Sequence, residues 1–290
     1  MTTKPRLVGG AALLLAFAGA AAGAALETAA PSTVGVSAAR LEQIGVALRA
    51  EVQQGAIPGA VVAVARRGKL VYHEAFGALD PAKGTPMPKN AIFPIASLTK
   101  PMTTVGALML VETGQLLLED PVARHLPQLA DRQVVTAAGT EPARRQPTIQ
   151  DLMRHTAGMT NGIATGNELE RSYLELTASD RTSADFIERL SRLPLHYHPG
   201  TRWDYGVGFE VVGAVIETLT KQRLADYQAT NLFEPLGMID TAYFVPPAKT
   251  SRFARPFKTD PFTGEPTNAR LRTTPPKRDS GANHVYSTAI

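Results

Sequence analysis

Ala96-Ser97-Leu98-Thr99-Lys100 sets a serine and a lysine three residues apart at the head of an apolar run that continues to about Gly114. On a helix, positions i and i+3 share a face, so this hydroxyl and this ammonium can meet. Unpaired backbone N–H groups and the positive end of the helix dipole lie at the first turn. They favour an oxygen developing negative charge and disfavour a protonated lysine. A serine can thus become a nucleophile without a histidine, because a neighbouring lysine of lowered pKa takes its proton. Ser97 is the only serine of the 290 residues followed three places later by a lysine. Taken alone, the tetrad reads more readily as a helix-capping serine beside a surface lysine, and the surrounding chain has to decide.

Working outward, Met102, Val105, Leu108, Met109 and Val111 cover more than one stripe of the helix, which predicts burial on most sides. Pro101 is tolerable in the first turn. Upstream, Leu41, Ile44, Leu48 and Val52 predict a helix over 38–54. The β-rich runs 60–66 and 69–76, joined at Arg67-Gly68, predict a hairpin of an antiparallel sheet. Downstream, Thr148-x-x-Asp151 and Thr182-x-x-Asp185 cap two helices, and Val211, Val212, Val215, Ile216 and Leu219 mark another, followed by one over 224–233. A short helix is expected from Asp120-Pro121 to Leu126-Pro127. Residues 132–146 read as a loop and 160–181 as a variable loop over a cleft. No element is assignable from Ala248 onward. The fold class is α+β: an antiparallel sheet flanked by helices, with a mostly helical lobe over roughly 115–250.

The chain has no cysteine, which excludes disulfides, thiolate metal sites and a cysteine nucleophile. Of its 30 basic and 26 acidic residues, seven basic and three acidic fall in 251–290. The earlier chain therefore balances, and no aromatic-interleaved basic patch suggests nucleic acid as a partner. Among the six histidines only His196 and His198 lie close together, with no carboxylate as an obvious third ligand, so neither a metal nor another cofactor is expected. Lys4 and Arg6 precede an uncharged run from Leu7 to Leu26, and Ala22-Gly23-Ala24 offers small residues for cleavage. Residues 1–24 are thus expected as a signal peptide, 25–37 as a linker and 38–290 as one domain. The mature protein would be periplasmic or secreted, without a membrane span after cleavage. The competing reading is a retained anchor.

A Ser-Lys pair needs a third group to pass protons to the leaving atom. Tyr205 follows the Pro199-Gly200 turn and precedes a helix, so it should project from a loop, where nearby cations can stabilise a phenolate. Spacing alone leaves this level with a packed aromatic beside Trp203.

Together, four ordered segments resemble the serine β-lactamase and penicillin-binding-protein superfamily, in particular its class C β-lactamase and family VIII esterase branch. They are Phe93-Pro-Ile-Ala-Ser97-Leu-Thr-Lys100, Asp151-Leu-Met-Arg-His155-Thr-Ala-Gly158-Met159, Pro199-Gly-Thr-Arg-Trp203-Asp-Tyr205-Gly206 and Glu234-Pro-Leu-Gly-Met238. The resemblance implies that Ser97 is the nucleophile of an acyl-enzyme, Lys100 its general base and Tyr205 a proton relay. The Ser97 N–H would be half of the oxyanion hole, and His155 would be structural. Implied substrates are small esters, amides or β-lactams; a non-catalytic penicillin-binding protein is the reading from another class. Two departures stand out. Val207 replaces an asparagine that holds the amide side chain of β-lactams, which favours esters. Lys221 replaces a helix-ending glycine. Ser280-Gly-Ala-Asn-His-Val-Tyr-Ser-Thr-Ala289 resembles a degraded form of a Gly-rich segment after which relatives continue with further strands and a helix. The expectation is therefore a domain incomplete at its C-terminal end, poorly stable and weakly active or inactive.

Overall fold

The computed structural model describes residues 26–162, 166–178, 180–268 and 270–290; the expected signal peptide lies outside them. Strand β1 (Glu27–Thr28) precedes helix α1 (Ala38–Gln53), which Ser37 caps through its hydroxyl. Strands β2 (Gly59–Arg66) and β3 (Lys69–Asp80) form the expected hairpin. Arg67 and Gly68 at its tip have φ of 53° and 70°, the left-handed pair that a two-residue hairpin turn requires.

Part of the stretch 26–37 packs against the sheet and α1. β1 pairs with Lys69–Leu70 of β3, and Val34 packs with Leu41 and Val71. That pairing is parallel, so the sheet is not purely antiparallel. The short β4 (Thr85–Pro86) pairs with the far end of β3, which leaves β2 at one edge.

After β5 (Phe93–Pro94) and a 3-10 turn over Ala96–Leu98 comes α2 (Thr99–Glu112). Burial on most sides does not hold for it. Thr99, Lys100, Thr103, Gly106, Ala107 and Leu110 are buried, while Val105 and Leu108 are exposed. The small residues decide which side packs: at Gly106 the chain admits Tyr227, whose hydroxyl donates to the Gly106 carbonyl at 3.2 Å.

Two 3-10 turns, Val122–Arg124 and Pro127–Leu129, stand where a short helix was expected. Residues 132–146 hold a hairpin, β6 (Gln133–Thr136) and β7 (Gly139–Pro142), rather than a loop. It is anchored by buried Val134 and by Arg132, whose guanidinium donates to the carbonyls of Leu190, Ser191 and Leu193. Helix α3 (Ile149–Met153) begins at the Thr148–Asp151 capping box. Residues 168–178, expected as loop, form α4 (Glu168–Ala178), whose Tyr173 and Leu176 are buried on an otherwise mostly polar helix.

Helices α5 (Ser183–Arg192), α6 (Gly208–Thr220) and α7 (Leu224–Gln228) complete the lobe, and β8 (Tyr286–Ser287) pairs with β5. The main apolar cluster joins α2, α3, α5 and α6 through Ala107, Leu110, Leu152, Phe186, Leu190, Val212 and Ile216. Lys221 ends α6 at φ 57°, taking the left-handed conformation that glycine adopts without strain. No helix among the described residues is long and apolar enough to cross a membrane.

Candidate active site

The β5–β8 pairing brings the chain from Gly281 to Val285 alongside the first turn of α2. Thr103 donates to the Gly281 carbonyl at 2.8 Å, Lys100 to the Ala282 carbonyl at 3.1 Å, and the Val285 N–H donates to the Thr99 hydroxyl at 3.2 Å. Gly281 has to be glycine for this approach, since a Cβ there would stand 2.1 Å from the Phe209 carbonyl oxygen. Ser97 therefore sits at the lip of a braced helix with its side chain exposed, while Lys100 is buried just below it. Ala96, immediately before Ser97, has φ 46°, a conformation that costs a non-glycine residue.

Ser97, Lys100 and Tyr205, picked from distant parts of the sequence, come together. The Lys100 ammonium donates to Ser97 Oγ at 3.1 Å, and the Tyr205 hydroxyl lies 2.8 Å from the same oxygen. Lys100 Nζ also stands 4.8 Å from the centre of the Tyr205 ring. Burial pushes the Tyr205 phenol up, but hydrogen bonds from Lys100 and Ser97 and the Lys100 charge outweigh it and leave the pKa below its ordinary value of 10.0. A phenol so placed is ionised to a larger extent at a given pH than a free tyrosine.

His155 holds Tyr205 rather than the reacting atoms. At φ 59° it turns its ring onto Tyr205, with centroids 4.6 Å apart, and its Nδ1 accepts the Gly206 N–H at 3.2 Å. Burial and the Lys100 charge lower its pKa, against a smaller rise from Asp204, so the ring stays neutral and able to accept. Gly206 fits tightly against the Met159 carbonyl, 2.0 Å from where a Cβ would be. His196 and His198 do not converge on a shared site: His196 pairs with Asp204 at 3.2 Å and His198 with Glu141 at 2.8 Å. Among the described residues no cluster of histidines and carboxylates could hold a metal ion.

The sequence reading missed two contributors. Asn283 Oδ1 accepts from Ser97 Oγ at 3.3 Å. Buried Glu210 accepts from Arg278 and from Ser280, and the Ser280 hydroxyl in turn accepts the N–H groups of Ala282 and Asn283. The only signal was the segment 280–289 itself, read as a degraded motif without roles for its residues. Val207 is buried in the apolar cluster of the helical lobe, so this position offers packing and no polar group to a substrate.

The site thus sets an exposed serine in hydrogen-bond contact with a buried lysine and a tyrosine. A family model described as Beta-lactamase matches residues 46–290, and the chain belongs to that family. It is 36% identical to Esterase EstB of Burkholderia gladioli over 218 residues, 74% of this chain and 53% of the relative. It is 32% identical to Protein Rv1367c of Mycobacterium tuberculosis over 248 residues, 81% of this chain and 60% of the relative. The solved structure of unliganded Simvastatin Synthase (LovD) from Aspergillus terreus superposes with a TM-score of 0.70 at 28% identity, covering 87% of this chain and 66% of that one. The chain thus spans 60% or less of the length of these curated relatives.

Proposed function

We propose that this protein is an exported serine hydrolase that cleaves a small ester through an acyl-enzyme on Ser97. The observation that carries the reading is the simultaneous contact of Ser97 Oγ with Lys100 Nζ at 3.1 Å and Tyr205 Oη at 2.8 Å. Ser97 Oγ attacks the carbonyl carbon while its proton passes into the Lys100–Tyr205 pair. The tetrahedral intermediate places its oxygen toward the Ser97 N–H at the head of α2. On collapse the C–O bond to the leaving group breaks and the same pair returns the proton to the departing alkoxide. Water then repeats the sequence against the acyl-enzyme and frees Ser97. Lys100 serves as general base and Tyr205 as relay, its depressed pKa matching the task.

The buried Val207 supports esters over β-lactams, and the esterase relative supports the same reaction class. The charged start and uncharged run of residues 1–24 support export, with the mature protein in the periplasm or outside the cell. Intact-mass spectrometry after treatment with a fluorophosphonate tests the reading. A single adduct on Ser97, lost in Ser97→Ala together with hydrolysis of p-nitrophenyl butyrate, is the expected result. Hydrolysis that survives Ser97→Ala would overturn it. N-terminal sequencing of the secreted protein tests export, with a new terminus near Ala25 expected.

A further inference from the structure

A cavity of about 820 Å³ adjoins Ser97, and Ala96 and Asn283 form part of its wall. The rest of that wall is unusually basic: four arginines, 181, 270, 272 and 278, face two carboxylates, Asp180 and Glu210. Two of the arginines are already engaged, Arg278 by Glu210 and Arg181 by Asp185. Arg270 and Arg272 form no ion pair among the described residues, although both line the cavity. His284 lies among these cations, and its Nδ1 is buried without a hydrogen-bond partner. Burial, then the charges of Arg272, Arg278 and Arg270, hold the imidazole down to about 4. The wall therefore carries uncompensated positive charge and an unsatisfied polar atom, and it shares with the candidate site Asn283, which accepts from Ser97 Oγ. A cleft lined by one sign of charge concentrates ligands of the other, and guanidinium forks suit carboxylates.

We propose that this cavity receives a carboxylate of the substrate, so that the preferred esters are anionic, with Arg270 and Arg272 as the residues that select them. The inference rests on Ser97 as the nucleophile for its catalytic consequence, but not for the binding itself. An uncharged ester of the same shape would leave both guanidiniums without a counter-charge inside the cleft, and would be the poorer substrate.

The test compares wild type with the double variant Arg270→Gln/Arg272→Gln. By isothermal titration calorimetry, glutarate should bind the wild type and its neutral counterpart glutaramide should not. The double variant should bind glutarate at least about tenfold more weakly. In kinetics, wild type should prefer mono-p-nitrophenyl glutarate over p-nitrophenyl pentanoate by about tenfold in kcat/KM. The double variant should lose that preference. Equal glutarate binding by the two proteins, or none by either, would overturn the proposal. The calorimetric arm needs no turnover, so it stands apart from the hydrolase reading, which fails separately if Ser97→Ala still cleaves the neutral ester.

Discussion

Tyr205 Oη and Ser97 Oγ lie 2.8 Å apart, although 108 residues separate them in the chain. The phenol's pKa is depressed mainly by Lys100, which bonds it and stands over its ring, against an opposing push from burial. On the proposed mechanism, proton acceptance by such a pair would set both the rate and its pH dependence.

Tyr205→Phe should lower kcat by about 100- to 10,000-fold with little change in KM, the range expected for loss of a positioned acid–base group. On the proposed mechanism the reactive Lys100–Tyr205 pair has lost one proton, so kcat/KM should rise with pH through a limb below 10.0. Lys100→Met removes the charge that lowers this pKa, so in the residual activity the limb should move to higher pH. Stopped-flow acylation across pH reads both effects. A limb that stays in place in Lys100→Met would assign it to another group.

On the proposed mechanism His155 would act through Tyr205, which it packs against. His155→Ala removes the acceptor for the Gly206 N–H and the ring against Tyr205, so kcat should fall while KM stays near wild type. His155→Asn should recover part of the loss, because asparagine tolerates the observed φ of 59° and can accept the same hydrogen bond. Since the folded pKa lies below the ordinary 6.5, the stabilisation from neutral His155 is present above that value and is lost as pH falls. Equal kcat for the alanine and asparagine variants would remove the positioning role.

The Glu210–Arg278 pair is buried on both sides, at 5% and 6% side-chain exposure, and through Ser280 it shapes the turn that carries Ala282 and Asn283. Arg278→Met leaves a carboxylate buried without its cation and should destabilise the fold by about 3–5 kcal/mol. The double variant Glu210→Leu/Arg278→Met should recover much of that stability yet not the activity, because the turn beside Ser97 loses its brace. Chemical denaturation and ester hydrolysis on the same samples separate the two effects. Additive losses of stability in the double variant would show that the residues do not act as a pair.

Lys221→Gly should stabilise the protein by about 0.5–1 kcal/mol, since the φ of 57° strains a lysine and not a glycine. A thermal melt with unchanged or lowered midpoint would mean that the lysine's own contacts outweigh the backbone strain.

The hairpin over 59–80 was legible because its turn pair and alternation are local, and both caps, at Thr148 and Thr182, are side-chain signals that need no partner. Ser97, Lys100 and Tyr205 were legible through ordered motifs. What escaped depends on contacts distant in sequence. Residues 133–142 pair as strands because Val134 and Arg132 reach Leu190–Leu195, which no local pattern announces. Helix α4 is mostly polar in composition, and only its packing buries Tyr173. The apolar residues of α2 predicted burial all round, yet it is the small ones, Gly106 and Ala107, that face the core. Arg270, Arg272 and His284 form a cavity wall only once β8 pairs with β5; in the sequence they are part of a basic tail.

Asp151 shows how the His155 segment is secured, and it makes a prediction for acid stability. Its carboxylate accepts from both terminal nitrogens of Arg145, at 2.5 and 3.0 Å, from the Thr148 N–H and hydroxyl, each at 3.0 Å, and from Thr156 at 2.9 Å. Burial pushes the acid up, but Arg145 and then these hydrogen bonds prevail and bring it from 3.8 down to about 2. The folded pKa is below the unfolded one, so the contribution is complete above 3.8 and is lost as pH falls toward about 2. Asp240, held by Arg252 and Lys249, reaches about 2 as well and adds to the same window. Arg145→Gln removes the largest lowering influence on Asp151 alone, which raises its folded pKa toward 3.8 and should flatten the fall in stability between pH 4 and 2 without abolishing it. Urea unfolding at stepped pH measures that slope. An identical slope in wild type and Arg145→Gln would mean that the Asp151–Arg145 contact contributes nothing to acid stability.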